Sequence, residues 1–220
     1  MRMSELSERS GVAVPTIKYY QRENLLHAGE FSSPTQARYD DTHVDRLRLI
    51  RALIDIGGLS VASAREVIAA IDDTSLPLTW TFGVAQRAIS TSVASVDSPS
   101  TGRGADDVAA ALDEASIAIH SDNPGLPLAS RVLDSYYELG HDELVGVLPD
   151  YLRAAVIVAN ADLDAVGRQA GRSDMAQTVV VGTVLGDSLF AGLRRIAQEY
   201  VSRQRFPDPD DSERQTKDES

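Results

Sequence analysis

Lys18, Tyr19 and Arg22 lie within the stretch TIKYYQRENLL, residues 16–26. Two cations and a phenol so close together can offer ion pairs and hydrogen bonds to an anion, and phosphate accepts from all three side-chain types. Ile17, Tyr20 and Leu25 interleave with them and suit an inward face. Val14, Pro15 and Thr16 form the leading end of the same segment. A core helix has no use for this collection of polar groups, and the chain as a whole is acidic, with a formal net charge of -12. The stretch therefore calls for elements that hold one face in a core and leave the other exposed.

The charge is unevenly spread. Residues 1–72 hold nine Lys or Arg and ten Asp or Glu, close to balance; the remaining twelve basic and twenty-three acidic residues lie beyond. A locally basic face is compatible with such a first third. The 220 residues suffice for one large or two small domains. No apolar run of membrane-spanning length stands out, and MRMSELSERSG has no signal-peptide core. A cytoplasmic protein is expected. The chain has no cysteine, which excludes disulfides and thiolate metal sites.

The elements read as follows. Residues 4–9 suit a short helix, and SGVAVP a turn. Pro15 fits the first turn of a second helix, where its missing N–H costs nothing, running to about Asn24. Residues 27–38, rich in Gly, Ser and Pro, read as a loop or short hairpin. Asp41 or Thr42 can cap the next helix, whose stripe is Val44, Leu47, Ile50, Leu53 and Ile54. Gly57-Gly58 ends it. Ser60 caps another, with Val61, Ala64, Val67, Ile68 and Ile71 inside. Residues 84–96 suggest a modest helix, and 97–104 a flexible connection. Helices are then expected over 105–119, with Ala115 and Ile119 on the stripe, from Pro124 to Gly140, and from Pro149. The last carries RAAVIVANA, apolar nearly all round and so expected at the centre of a bundle. Residues 174–204 form the longest segment, with a seam of Gly182, Gly186, Leu189, Leu193, Ile196 and Tyr200.

Helix, tight turn, helix, loop, helix, Gly-Gly, helix resembles the winged helix-turn-helix of the MerR family of transcription regulators. Three motifs carry the resemblance, over residues 2 to about 72: Thr16-Ile17-Lys18-Tyr19-Tyr20 through Leu25-Leu26, Tyr39-Asp40-Asp41-Thr42-His43-Val44, and Gly57-Gly58-Leu59-Ser60-Val61. The resemblance implies double-stranded DNA as partner, bound by a homodimer on a pseudo-palindromic promoter operator. It further implies distortion of that DNA for RNA polymerase, in response to an effector. The second helix of such a unit enters the major groove by its N-terminal residues. Val14, Pro15, Thr16, Lys18, Tyr19 and Arg22 are accordingly the expected DNA contacts, joined by Arg38 and Tyr39 at the wing exit and by Ser60 at a helix N-terminus, a ready anion site. Two departures stand out. Ala37 occupies a position that is often arginine in the family, and Ala13 one that is often Ser or Thr.

The whole is expected to be all-α with a small β wing. Residues 1–72 form the DNA-binding domain, 73–104 a short helix and linker, 105–204 a helical dimerisation or effector domain, and 205–220 a disordered acidic tail. Trp80, Tyr136, Tyr137 and Tyr151 are candidate effector contacts, though core packing is the commoner role for such aromatics. Arg46, Arg48 and Arg51 read as a solvated face paired with Asp45 and Asp55. His27, His43, His120 and His141 show no metal-ligand spacing, so no metal and no cofactor are expected. No nucleophile elbow, phosphate loop or acid–base pair is visible, and no enzyme is expected. Two other readings stay open: a small-molecule-binding helical protein, or an interaction adaptor, either with only weak DNA binding.

Overall fold

A computed structural model describes residues 1–33, 36–93 and 102–206, with the side chains at 31–33, 36 and 91–93 excepted. The expected tail from 207 onward and most of the expected linker at 97–104 lie outside the described residues. Helix α1 (Met3–Ser10) leads through Gly11, which takes the left-handed conformation at φ 68°, into α2 (Val14–Arg22). The turn is bonded internally. Ser7 Oγ donates to the Val12 carbonyl at 2.6 Å, and Ser10 Oγ donates to that of Leu6 at 2.7 Å. Ala13 caps α2 without any side-chain bond, as its methyl group dictates, and Pro15 sits in the first turn. The helix stops at Arg22, short of the expected Asn24. That residue turns left-handed (φ 58°), and the N–H of Leu25 returns to the Tyr20 carbonyl at 2.9 Å.

Strands β1 (Glu30–Ser33) and β2 (Gln36–Arg38) pair antiparallel, Glu30 opposite Arg38 and Phe31 opposite Ala37, with an irregularity between Phe31 and Ser33. The Asp40 side chain caps α3 (Asp41–Arg51), accepting from the N–H groups of Thr42 and His43. The expected caps, Asp41 and Thr42, are already helical: the cap must keep extended backbone, and only Asp40 does. A single π turn (Ala52–Ile56) extends α3 to Gly57. Ser60 then caps α4 (Val61–Asp72), its oxygen accepting from the Ser63 N–H at 3.0 Å.

Beyond Asp72 lie α5 (Leu78–Val93), α6 (Arg103–Glu114), α7 (Gly125–Glu138), a 3-10 segment (Asp142–Val147), α8 (Leu148–Gly167) and α9 (Arg172–Arg205). Helix α5 begins six residues before the expected Val84, using the Pro77 carbonyl as first acceptor for the Trp80 N–H. Helix α6 stops at Glu114 because Ser116 turns left-handed at φ 55°, so Ala115 and Ile119 fall off its stripe into solvent.

One core joins both ends of the chain. Leu6, Ile17, Leu47, Ile50, Leu53, Val67 and Ile68 are buried together with Ala85 and Ala88 of α5 and Val180 and Val184 of α9. Helix α9 runs against the π turn closely enough that Ser188 Oγ donates to the Ile56 carbonyl at 3.3 Å.

Helix α8 departs from expectation. Its apolar circumference suggested the centre of a bundle, yet Val166 is its only buried residue and Ile157 is 71% exposed. Within the chain α8 packs on α9 and touches α6 and the 3-10 segment, which leaves most of its circumference uncovered. By length and composition alone, Asp142–Gly167 and Arg172–Arg205 would suffice to cross a bilayer. No continuous run signalled this, because their apolar residues are dispersed among small and polar ones.

Gly57 is where the π turn and α9 meet. A Cβ there would lie 2.3 Å from Val184 Cγ1 and 2.7 Å from the Leu53 carbonyl oxygen. Gly57→Ala is expected to cost about 1–3 kcal/mol through overpacking, seen as a fall of several degrees in Tm. Gly146→Ala, whose Cβ meets nothing within 4 Å, should leave Tm nearly unchanged. Equal Tm values for the two variants would refute this account of the α9 junction.

Candidate nucleic-acid interface

Helix α2 divides as its sequence suggests. Ile17 and Tyr20 are buried, and Leu25 and Leu26 follow them into the core; Pro15, Lys18, Tyr19 and Arg22 are exposed, with Val14 and Thr16 half-buried. Burial and the nearby Asp55 carboxylate push the Tyr20 phenol above its ordinary value, so it stays neutral. The Arg22 guanidinium lies 5.8 Å from the centroid of the Tyr19 ring, a cation–π distance that keeps both groups on the outer face.

The pairing of charges separates this face from its surroundings. Arg9 pairs with Asp41 at 2.7 Å, Arg48 with Asp45 at 3.2 Å and Arg51 with Asp55 at 3.0 Å. Arg46 reaches Asp72 on α4 rather than Asp45, because it projects inward between the two helices, and Arg65 pairs with Glu23 at 3.8 Å. Among the described residues Lys18, Arg22 and Arg38, together with Arg2, make no ion pair. Three of the expected contacts are thus cations without an internal carboxylate.

Tyr39 is placed otherwise. It is only 7% exposed, stands edge-on to His43 at 5.1 Å between ring centroids, and its ring covers Gly29, where a Cβ would come within 2.8 Å of it. Tyr39 therefore holds the base of the hairpin, and of the wing-exit pair Arg38 alone is exposed. Ser60 is exposed, but its hydroxyl is engaged in capping α4.

The four candidate effector aromatics are spread over α5, α7 and α8. Trp80 is exposed on α5 with the Arg87 guanidinium 5.7 Å from its ring. Tyr137 donates to Asp107 Oδ2 at 2.6 Å beneath the Arg103 guanidinium, which pins α7 to α6; that bond to a carboxylate, first among the causes, raises its phenol above the ordinary value. Tyr136 is half-buried beside it. Tyr151 accepts from Arg194 Nη2 at 2.5 Å, bridging α8 to α9. A groove of about 570 Å³ lies instead between α6 and α8, lined by Ala111, Ile117, Leu152, Val156 and Ile157 with Glu114 and Arg153. No sequence pattern announced it, since its walls come from helices more than thirty residues apart.

Comparison with known proteins decides the family. The profile of the MerR HTH family of regulatory proteins matches residues 1–71. The crystal structure of SCO5550 from Streptomyces coelicolor A3(2), assigned as a transcriptional regulator, superposes with a TM-score of 0.64 at 32% identity, covering 94% of this chain and 98% of that one. The chain belongs to the MerR family. A further relative, the nodulation protein NolA of Bradyrhizobium elkanii, is 35% identical over 74 residues, which make up 34% of this chain and 32% of NolA. The chain thus matches about a third of the length of that relative. Family and fold make it a DNA-binding transcription regulator. In the winged helix-turn-helix fold, α1 and α2 are the two helices about the turn and β1–β2 the wing.

One group beside the wing responds to acid. Hydrogen bonds from the Thr42 hydroxyl and then His43 hold the Asp40 carboxyl well below its ordinary value of 3.8. A depressed carboxyl stabilises the fold above its unfolded value and loses that contribution as pH falls toward the folded value. The Tm advantage of the wild type over Asp40→Asn, present at pH 7, should therefore shrink as pH drops below about 4. A difference that stays constant from pH 7 to pH 3 would show that the bonds to Asp40 do not favour its charged form.

Proposed function

We propose that the protein binds a pseudo-palindromic promoter site as a homodimer and alters the shape of the DNA there. The observation carrying this reading is the exposed set of Lys18, Arg22 and Arg38, cations left unpaired where neighbouring arginines are matched by carboxylates. The leading residues Val14, Pro15 and Thr16 would face base edges, while Lys18, Tyr19, Arg22 and Arg38 would reach phosphates. The first-turn N–H groups behind Ser60 supply a further phosphate position. Bending or untwisting a site costs a few kcal/mol, on the order of 1–6 by elastic estimates, and contacts from two wings and two recognition helices would offset it. RNA polymerase is the partner that would read the altered shape.

For the dimer, support comes from α9. Its inward valines sit in the core, but the continuation of its seam is bare: Leu193 is 52% and Ile196 66% exposed, with Leu189 and Tyr200 alike. The uncovered side of α8 adds to this apolar surface, and a second copy of the chain would bury both. The groove between α6 and α8 supports an effector, and its lining suits a largely apolar small molecule. That groove is also what favours the second reading, a helical small-molecule binder with weak DNA affinity.

Three outcomes are expected. Lys18→Glu and Arg22→Glu should each weaken binding to the chain's own promoter DNA and flatten its salt dependence by about one unit of slope per lost phosphate contact. Arg48→Glu, on a face already paired with Asp45, should change little; fluorescence anisotropy across a salt series separates them, and affinities unchanged by Lys18→Glu and Arg22→Glu would remove α2 from the interface. Failure of the wild type to prefer promoter over scrambled DNA would favour the small-molecule reading. Leu193→Lys with Ile196→Lys should yield monomers by light scattering. Deleting α9 outright would strip Val180 and Val184 from the core, so these surface changes are the cleaner test; a variant that stays fully dimeric rules out the α9 face.

A further inference from the structure

His27 and His43 are sixteen residues apart, yet the β1–β2 hairpin returns the chain so that their rings lie 3.9 Å apart between centroids. Asp40 joins them. One ligand atom from each of the three lies within 4.8 Å of the others. His27 is the first residue after the Leu25-Leu26 anchor of α2, while Asp40 and His43 bracket the start of α3. The three side chains therefore straddle the neck of the wing, one before β1 and two after β2.

The capping arrangement does not fully account for this cluster. His43 Nδ1 faces Asp40 Oδ1 at 2.7 Å and, at 3.2 Å, the Asp40 backbone N–H. The two contacts ask for opposite things. The amide requires a lone pair on Nδ1, whereas a carboxylate oxygen this close requires a proton on it; a metal ion would take the place of that proton once the two side chains part by some tenths of an ångström. The Ala28 carbonyl lies 3.5 Å from Nε2 and favours the tautomer with its hydrogen on that nitrogen. Histidine ligands are commonly oriented in this way, by a backbone carbonyl on the ring nitrogen that does not bind the metal. His27 is exposed, with Nε2 only 3.4 Å from the Thr42 hydroxyl. The nearby opposing cation, Arg46, is already paired with Asp72.

We propose that His27, Asp40 and His43 form a site for a first-row divalent transition metal of the Zn²⁺ or Co²⁺ class, clamping the neck of the wing. Two imidazoles and one carboxylate are a donor set such ions accept, and three protein ligands leave a position open to water. The Thr42 hydroxyl is the nearest further oxygen. An ion bound here ties the end of the recognition helix to the start of α3, so the wing is held in one orientation whenever the metal is present. This clamp uses no cysteine and lies in the DNA-binding segment itself.

The test uses the full chain stripped by chelator, with no DNA present, so it stands or falls apart from the DNA-binding reading. Calorimetric titration with Zn²⁺ and the visible absorption of added Co²⁺ report binding. The expected result is one saturable ion per chain, a higher Tm with Zn²⁺, and affinity reduced about tenfold or more in His27→Ala. That variant keeps the Asp40–His43 cap and should match the wild-type Tm in chelator. Asp40→Asn, which can still cap α3, should weaken binding likewise. His120→Ala with His141→Ala should leave affinity intact. The proposal is overturned by the absence of saturable binding at millimolar ion, by wild-type affinity in His27→Ala, or by loss of binding in the His120/His141 pair.

Discussion

The contact of Val184 with the π turn at Gly57 is the constraint on which the rest of the molecule depends. The turn ends α3, whose other face buries Leu47 and Ile50 beside Ile17 of α2. The same turn receives α9, which also packs against α8. A side chain at position 57 would separate these two sets of packing. A π turn adds a residue to the helical circuit without breaking the helix, and here it brings the backbone of Ile56 to the Ser188 hydroxyl. Helix α9 therefore shares one core with α2 through Val180, Val184 and Ile17.

Charge is sorted with comparable economy. Most of the surplus acid lies beyond residue 72, and within the first seventy-two residues carboxylates are matched to particular arginines: Asp41 to Arg9, Asp45 to Arg48, Asp55 to Arg51, Asp72 to Arg46. The three exposed pairs, those of Arg9, Arg48 and Arg51, add little stability, typically under about 1 kcal/mol each. Their consequence is the potential they leave behind. With the flanking arginines matched, the cations of the first seventy-two residues that make no ion pair among the described residues are Arg2, then Lys18 and Arg22 on α2, and Arg38 at the end of β2.

Much of this was legible in the residues. The buried faces of α2, α3 and α4 followed from helical spacing, and Ser60 and Gly57-Gly58 marked a start and a stop that the structure keeps. Local signals sufficed there because each rests on a few adjacent residues. Elsewhere they misled. Asp40 rather than its neighbours caps α3, because three consecutive capping-competent positions differ only in backbone conformation. Tyr39 looked like a surface residue at the wing exit but packs over Gly29, a contact between residues ten apart. Helix α8 looked like a bundle centre because its composition reports only that it must be covered, not by what.

The sequence by itself determined the family, the helical periods and the two-faced character of TIKYYQRENLL, since motif order and side-chain spacing are local properties. Only the tertiary structure decided which arginines are neutralised, that α9 enters the same core as α2, and that His27 meets Asp40 and His43. Those depend on pairings across long stretches of chain, where the hairpin and the helix crossings, rather than the spacing of residues, set which atoms come within a few ångströms.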